Sequence, residues 1–216
     1  MRGSRTEDVA PFDSWAATYD RHWARHLLFG RIHAQVVREA AQTGNPPERI
    51  LDLGSGTGML LRALGRRFPE ARLSGIDPAP GMVAQANQRS EGSAGVTCVQ
   101  GSASRLPFAD QSFQLVVSTS SFHHWDDQPQ GLSEARRVLS RDGTFILADG
   151  CKGAGPPRPH LGLLPKLLNS HRDDPERFHA PDVLRRLLEA AGFRVVTQRR
   201  LRWTPGGILL TRAVAT

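Results

Sequence analysis

Lysine is nearly missing from this 216-residue chain. Lys152 and Lys166 are only two of its 28 basic residues, so a formal charge of +7, set against 21 acids, is carried almost wholly by arginine. Such a balance brings acidic partners into view, nucleic acid among them, yet it speaks to solubility and non-specific association rather than to fold. A bias in coding composition would give the same excess. Cysteine is scarce as well: Cys98 and Cys151 form no Cys-x-x-Cys pair and no zinc-spaced set. Free thiols in a reducing compartment are therefore expected, and no structural disulfide. No run of 18 apolar residues occurs, and Met1–Pro11 lacks the apolar stretch of a signal peptide, so the expectation is a cytoplasmic protein with no membrane association. Repeats, heptads and low-complexity tracts are absent. With 39% hydrophobic and 23% charged residues, the composition is that of an ordinary folded chain, and its length suits one domain spanning 1–216.

What is present alternates. The first forty residues read as helical, with Trp15, Trp23, Leu27, Leu28, Ile32, Val36 and Val37 recurring at intervals of three and four until Asn45-Pro46-Pro47 stops the pattern. Residues 1–45 thus form an amino-terminal helical cap. Short apolar runs follow at Arg49–Leu53, Arg72–Ile76, Val96–Gln100, Phe113–Ser118, Gly143–Asp149, Arg194–Trp203 and Ile208–Ala215, most of them too continuously apolar for a sheet exposed on one side. Helical patterns lie between them at Met59–Phe68, Gly81–Arg89, Gln128–Leu139 and Asp182–Ala191, the last closing at Gly192. Strand and helix in alternation imply right-handed βαβ units. The fold expected is α/β, a doubly wound, mostly parallel sheet of seven strands whose last two form an antiparallel hairpin across Thr204-Pro205-Gly206-Gly207. Residues 152–177, rich in Gly, Pro, His and Arg, break the rhythm after a strand's carboxyl end, where open α/β sheets bind ligands. This insertion is read as a substrate lid, the alternative being a plain surface excursion.

The chemistry begins at Ile50-Leu51-Asp52-Leu53-Gly54-Ser55-Gly56-Thr57-Gly58, an apolar strand running straight into a helix. Glycines there allow a tight turn and let a ligand approach backbone that a Cβ would shield. Asp77 ends the next strand, 19 residues after Gly58, where a carboxylate can take hydrogen bonds from both hydroxyls of a ribose. A dinucleotide fits poorly: Met59 stands where the third glycine of that fingerprint would be, and Asp52 would repel a pyrophosphate while favouring a cationic ligand. No Gly-Lys-Ser/Thr follows, so a P-loop is excluded. A nucleoside without phosphates is indicated.

These blocks, together with Phe12–Asp20, Gly75-Ile76-Asp77-Pro78, Gly81-Met82, Gly101–Phe108, Phe122-His123-His124-Trp125 and Glu134–Leu139, resemble the class I S-adenosylmethionine-dependent methyltransferases of the small ubiquinone/menaquinone-methyltransferase-like superfamily, over nearly the whole chain. The resemblance implies S-adenosyl-L-methionine as cofactor. It implies Gly54, Ser55 and Gly56 under the methionine portion, Asp52 at its amino group and Asp77 on the ribose. Met82 and Ala103 would flank the adenine, Ser118 would lie at the cofactor, and Tyr19 would close over the methionine end, with Arg21 or Arg25 at the carboxylate. Ser102 stands where the family usually has an acid, a weaker acceptor for the adenine amino group.

Methyl transfer to a hydroxyl needs a base, and His123 and His124 stand beyond the fourth strand's carboxyl end while Asp149 closes the fifth. The pair His123–Asp149 is the expected base and orienting carboxylate; His123 is chosen over His124 because neighbours on an extended segment point opposite ways. Related sugar- and natural-product-directed members support O-methylation of a small-molecule acceptor. His160, His171 and His179 are candidates for shaping the acceptor pocket. A metal is not expected, since Asp126 and Asp127 can equally cap the following helix. The rival readings are C-methylation of a quinone or phenol, an RNA methyltransferase and a non-catalytic S-adenosylmethionine-binding protein. Nucleic acid is disfavoured because Ser118-Thr119-Ser120-Ser121 replaces the Asn/Asp-Pro-Pro-Tyr/Phe of base-amine methylation. The acceptor and the oligomeric state, a dimer included, stay open at this level.

Overall fold

A computed structural model describes residues 23–90, 95–153, 175–201, 204 and 207–216, with backbone alone for 23–28 and 175. The first helix, α1 (Trp23–Ala40), leads into β1 (Arg49–Leu53), α2 (Met59–Arg67), β2 (Arg72–Asp77), α3 (Pro80–Arg89) and β3 (Val96–Gln100). Then come β4 (Phe113–Thr119), a 3-10 turn at Phe122–His124, α4 (Gln128–Val138), β5 (Leu139–Gly150), a second 3-10 turn at Pro175–Arg177, α5 (Pro181–Ala190), β6 (Phe193–Leu201) and β7 (Ile208–Ala215). The expected cap at 1–45 is described only from residue 23, and most of the expected lid lies outside the described residues.

The seven strands lie in the order β3-β2-β1-β4-β5-β7-β6; β7 alone runs antiparallel to its neighbours. Period-two alternation along the central strands divides the core in two. Leu51 and Leu53 of β1, with Phe145 and Leu147 of β5, face Leu132 and Val138 of α4 and Leu184 and Leu188 of α5. Ile50, Ile146 and Ala148 face the other way, against Ile32 and Val36 of α1 and Leu60, Leu61 and Leu64 of α2. Central parallel strands must be apolar on both faces because helices cover both, which is why β1 and β5 read as continuous apolar runs.

Local chemistry sets the ends of the elements. Gly58, at φ 76, turns β1's loop into α2. Asp127 caps α4 by accepting from the Gln130 N–H at 2.9 Å, and Gly192, at φ 84, ends α5. Thr204 closes the β6–β7 connection: its hydroxyl donates to the Leu201 carbonyl (2.6 Å) and accepts from the Ile208 N–H (2.8 Å). Far from the rim, buried Glu39 of α1 meets Arg199 of β6 at 3.1 Å and Arg212 of β7 at 3.4 Å.

Gly131 in α4 shows packing overriding propensity. Replacing a helical glycine by alanine ordinarily gains up to about 1 kcal/mol, but a Cβ at Gly131 would sit 2.4 Å from Cε3 of the buried Trp125 indole. Overpacking of this kind costs about 1–3 kcal/mol. Gly131→Ala is therefore expected to lower the urea unfolding midpoint; a raised midpoint would show that the indole is free to yield.

Candidate active site

The glycine turn is built by backbone that only glycine adopts readily. Gly54, Gly56 and Gly58 have φ of 74, 51 and 76, and a Cβ on Gly54 would also lie 2.4 Å from the Ser121 side chain. The Gly54 and Ser55 N–H groups both donate to the Ile76 carbonyl, at 2.8 and 3.0 Å. One step further, the Gly56 N–H donates to Asp77 Oδ2 (2.8 Å), while Asp77 Oδ1 accepts from the Ala79 N–H (3.0 Å). Asp77 thus ties the turn after β1 to the start of α3. Burial pushes its pKa up, and the two backbone N–H groups offset part of that. Each oxygen keeps a lone pair for a further donor.

Asp52 is placed differently. It is 1% exposed, and its Oδ1 has no hydrogen-bond partner among the described residues. Burial first, then the neighbouring charge of Asp77, drives its pKa up to about 8. A buried carboxyl left short of donors is costly unless a ligand completes it. Asp52 lines a cavity of about 380 Å³, together with Gly54, Ser55, Gly56, Asp77, Met82, Ser102 and Ala103, all expected cofactor contacts.

Two expected contacts remain. Tyr19 lies outside the described residues. Ser118, contrary to expectation, is fully buried and does not line the cavity. On β4 it shares its face with Val116 rather than with Val117 and Thr119, and so turns toward the α4 side of the sheet. There it lies 2.8 Å from the Ser121 hydroxyl. Ser121 has one proton and gives it to the Leu53 carbonyl (2.8 Å), so it must accept from Ser118 and from Trp125 Nε1 (3.3 Å). Ser118 supports the wall from behind, and Ser121 is in it.

The wall also holds Phe29 and His33 of α1, with Thr119, His124 and Trp125. His33 is 8% exposed, with Nε2 3.4 Å from Thr119 Oγ1. Phe29 and His33 were both missed in the sequence; residues 29, 33 and 36 share the apolar stripe of α1, and a histidine within such a stripe is the signal that could have found His33.

The His123–Asp149 pair forms. His123 Nδ1 is 2.7 Å from Asp149 Oδ1, and the His123 backbone N–H donates to Oδ2 (3.2 Å). The Gly150 N–H adds a bond to Oδ1 at 2.6 Å. Burial alone would raise the Asp149 pKa; the charge and ring N–H of His123 with the two backbone donors outweigh it and hold the carboxyl below its ordinary value. The reason for choosing between the histidines does not survive. Residues Phe122–His124 form a 3-10 turn rather than an extended segment, so the rings lie side by side, centroids 3.9 Å apart, and it is His124 that lines the cavity. Of the other histidines proposed for the acceptor pocket, His160 and His171 lie outside the described residues, while His179 bonds Gln128 next to this turn.

A family model described as "Methyltransferase domain" matches residues 51–147. A malonyl-[acyl-carrier protein] O-methyltransferase of Geobacter sulfurreducens is 35% identical over 190 residues, covering 86% of this chain and 69% of that one. A demethylmenaquinone methyltransferase of Thermus thermophilus is 34% identical over 169 residues, 69% of this chain and 76% of the other. Among solved structures, a chain from the complex between the Haloferax volcanii Trm112 methyltransferase activator and a methyltransferase superposes with a TM-score of 0.75 at 23% identity, over 96% of each chain.

The buried Asp52 carboxyl makes stability pH-dependent with a definite sign. Its folded pKa of about 8 stands above the reference value of 3.8, so between those values the folded protein keeps a proton that the unfolded chain has released. Its contribution is therefore intact below about pH 4 and lost as the pH rises through about 8. In ligand-free protein, Asp52→Asn is expected to flatten the fall of the urea midpoint across that window. Identical slopes in the two proteins would mean that Asp52 is ionised in the empty site.

Proposed function

The chain belongs to the class I S-adenosylmethionine-dependent methyltransferases, and we propose that its acceptor is a hydroxyl group of a small molecule, with His123 as the base. S-Adenosylmethionine is its cofactor, and the residues present fit that molecule. The short-handed Asp52 carboxyl suits an ammonium group, the spare lone pairs of Asp77 suit ribose hydroxyls, and Met82 with Ala103 offers apolar walls for adenine beside the Ser102 hydroxyl. Gly54, Ser55 and Gly56 would lie under the methionine portion, with Tyr19 closing over it.

When bound, the cofactor supplies a methyl group on a positively charged sulfur, ready for in-line displacement. The protein then has to align the acceptor, exclude water and, for some acceptors, remove a proton. That last requirement separates acceptor classes. A carboxyl group is already ionised at neutral pH, with a pKa of about 4, and needs no base; an alcohol or phenol does. The observation that carries the proposal is the largely buried 2.7 Å contact between His123 Nδ1 and Asp149 Oδ1. A carboxylate can only accept, so it keeps the imidazole proton on Nδ1 and favours the tautomer that takes a proton at Nε2. His124, beside it in the cavity wall, would orient the acceptor.

A second reading is supported by the demethylmenaquinone methyltransferase relatives: methylation of a ring carbon in a phenol or hydroquinone. The same base would serve, because removing the ring hydroxyl's proton makes the carbon more nucleophilic. Part of the arginine charge is paired within the fold. Arg137 is committed to Glu134 and Asp110, Arg186 to Asp182, and Arg199 and Arg212 to Glu39.

Methyl-labelled S-adenosylmethionine offered with a sugar, a catechol, a naphthohydroquinone and a malonyl thioester tests the proposal. Base-stable label on a hydroxyl oxygen is expected, with His123→Ala lowering turnover by about 10²–10⁴-fold while S-adenosylhomocysteine affinity holds. Label that alkali releases as methanol would identify a carboxyl acceptor and sink the hydroxyl reading. Asp77→Ala should abolish S-adenosylhomocysteine binding in calorimetry; unchanged binding would refute the ribose contact and with it the placement of the cofactor.

A further inference from the structure

β5 ends at Gly150, and the limb that reaches the same rim from Pro175–Arg177 is fastened to the turn that carries His123. The side-chain amide of Gln128 donates to the Phe122 carbonyl (3.1 Å) and the Arg177 carbonyl (3.0 Å), and its Oε1 is 2.6 Å from His179 Nε2. The Arg177 guanidinium donates to the Trp125 carbonyl. On the other side, the Lys152 N–H donates to the His179 carbonyl (3.0 Å), and Cys151 pairs with His179 in a parallel bridge. Inside this junction the Phe178 ring is stacked on His123, centroids 4.5 Å apart with 25° between planes. The same ring covers the bare backbone of Gly150, where a Cβ would lie 2.6 Å from Phe178 Cε1.

A hydrogen bond at Nδ1 fixes one point of an imidazole and leaves the ring free to tilt about it. A flat neighbour lying nearly parallel removes that freedom, and aromatic pairs prefer such geometry. The approach works only because residue 150 has no side chain. We propose that Phe178 is a positioning residue for His123: delivered by this limb and admitted by Gly150, it sets the plane of the imidazole so that Nδ1 stays on Asp149. This rests on the reading of His123 as base.

The first test needs no acceptor. In wild-type protein the ¹⁵N shifts of the His123 ring should show one tautomer, protonated at Nδ1. Phe178→Leu, which keeps an apolar side chain but removes the flat face, should move both ring nitrogens toward the tautomer-averaged values, with S-adenosylhomocysteine affinity unchanged within twofold. Phe178→Tyr should restore the wild-type spectrum. Gly150→Ala, which displaces Phe178 while keeping the 150 N–H bond to Asp149, should resemble Phe178→Leu. In turnover with a hydroxyl acceptor, Phe178→Leu should lose at least tenfold in kcat at unchanged KM for the cofactor. A wild-type ¹⁵N signature in Phe178→Leu, or equal damage from leucine and tyrosine, overturns the proposal. Failure of the base reading shows up separately, as full activity in His123→Ala with the Phe178-dependent spectrum intact.

Discussion

Strands buried on both faces have their backbone groups paired along the sheet and can offer polar atoms only where they end. β1 and β4 end side by side here, and the helices that follow diverge, α2 to one face of the sheet and α4 to the other. The divergence opens a crevice where strand termini and turn backbone meet the side chains of the cavity wall. One hydroxyl spans it: Ser121 donates across to the Leu53 carbonyl and accepts from Ser118 and Trp125. The glycine turn, the cavity and the histidine turn are arranged around that junction.

Three buried acids stand at the same rim and are treated in three ways. Asp149 is surrounded by donors, from the His123 ring, the His123 backbone and Gly150, and its pKa falls despite burial. Asp77 has one backbone donor on each oxygen, and its pKa rises. Asp52 has an oxygen with none, and its pKa rises to about 8. The fewer donors the protein itself supplies, the higher the carboxyl's pKa stands, from Asp149 through Asp77 to Asp52.

Most of the frame was legible in the sequence because parallel strands and amphipathic helices have different periods: strand and helix limits agree with the reading to within a few residues. Asp52 and Asp77 were legible for the same reason, since each occupies a fixed place relative to a strand end and the glycine turn. What misled was local geometry below that resolution. A 3-10 turn in place of an extended segment put both histidines at the rim, and strand parity sent Ser118 behind the wall. The contact between Phe178 and Gly150 had no sequence signal at all, because it joins residues 28 positions apart with no periodic element to relate them. Composition also hides a contact between distant elements, since Arg199 and Arg212 both meet the single acid Glu39.

Glu39 is the case with the widest reach. It lies on α1, within three turns of Phe29 and His33 in the cavity wall, and its two partners belong to β6 and β7, far along the chain. The helix that forms one side of the cavity is therefore anchored to β6 and β7, which follow every other strand of the sheet in chain order. On the ribosome the glycine turn and both carboxyls beneath it can assemble early, but this wall gains its anchor only after the hairpin has emerged. Ligand competence would then arrive late and all at once, which makes cofactor binding a reporter of the completed sheet.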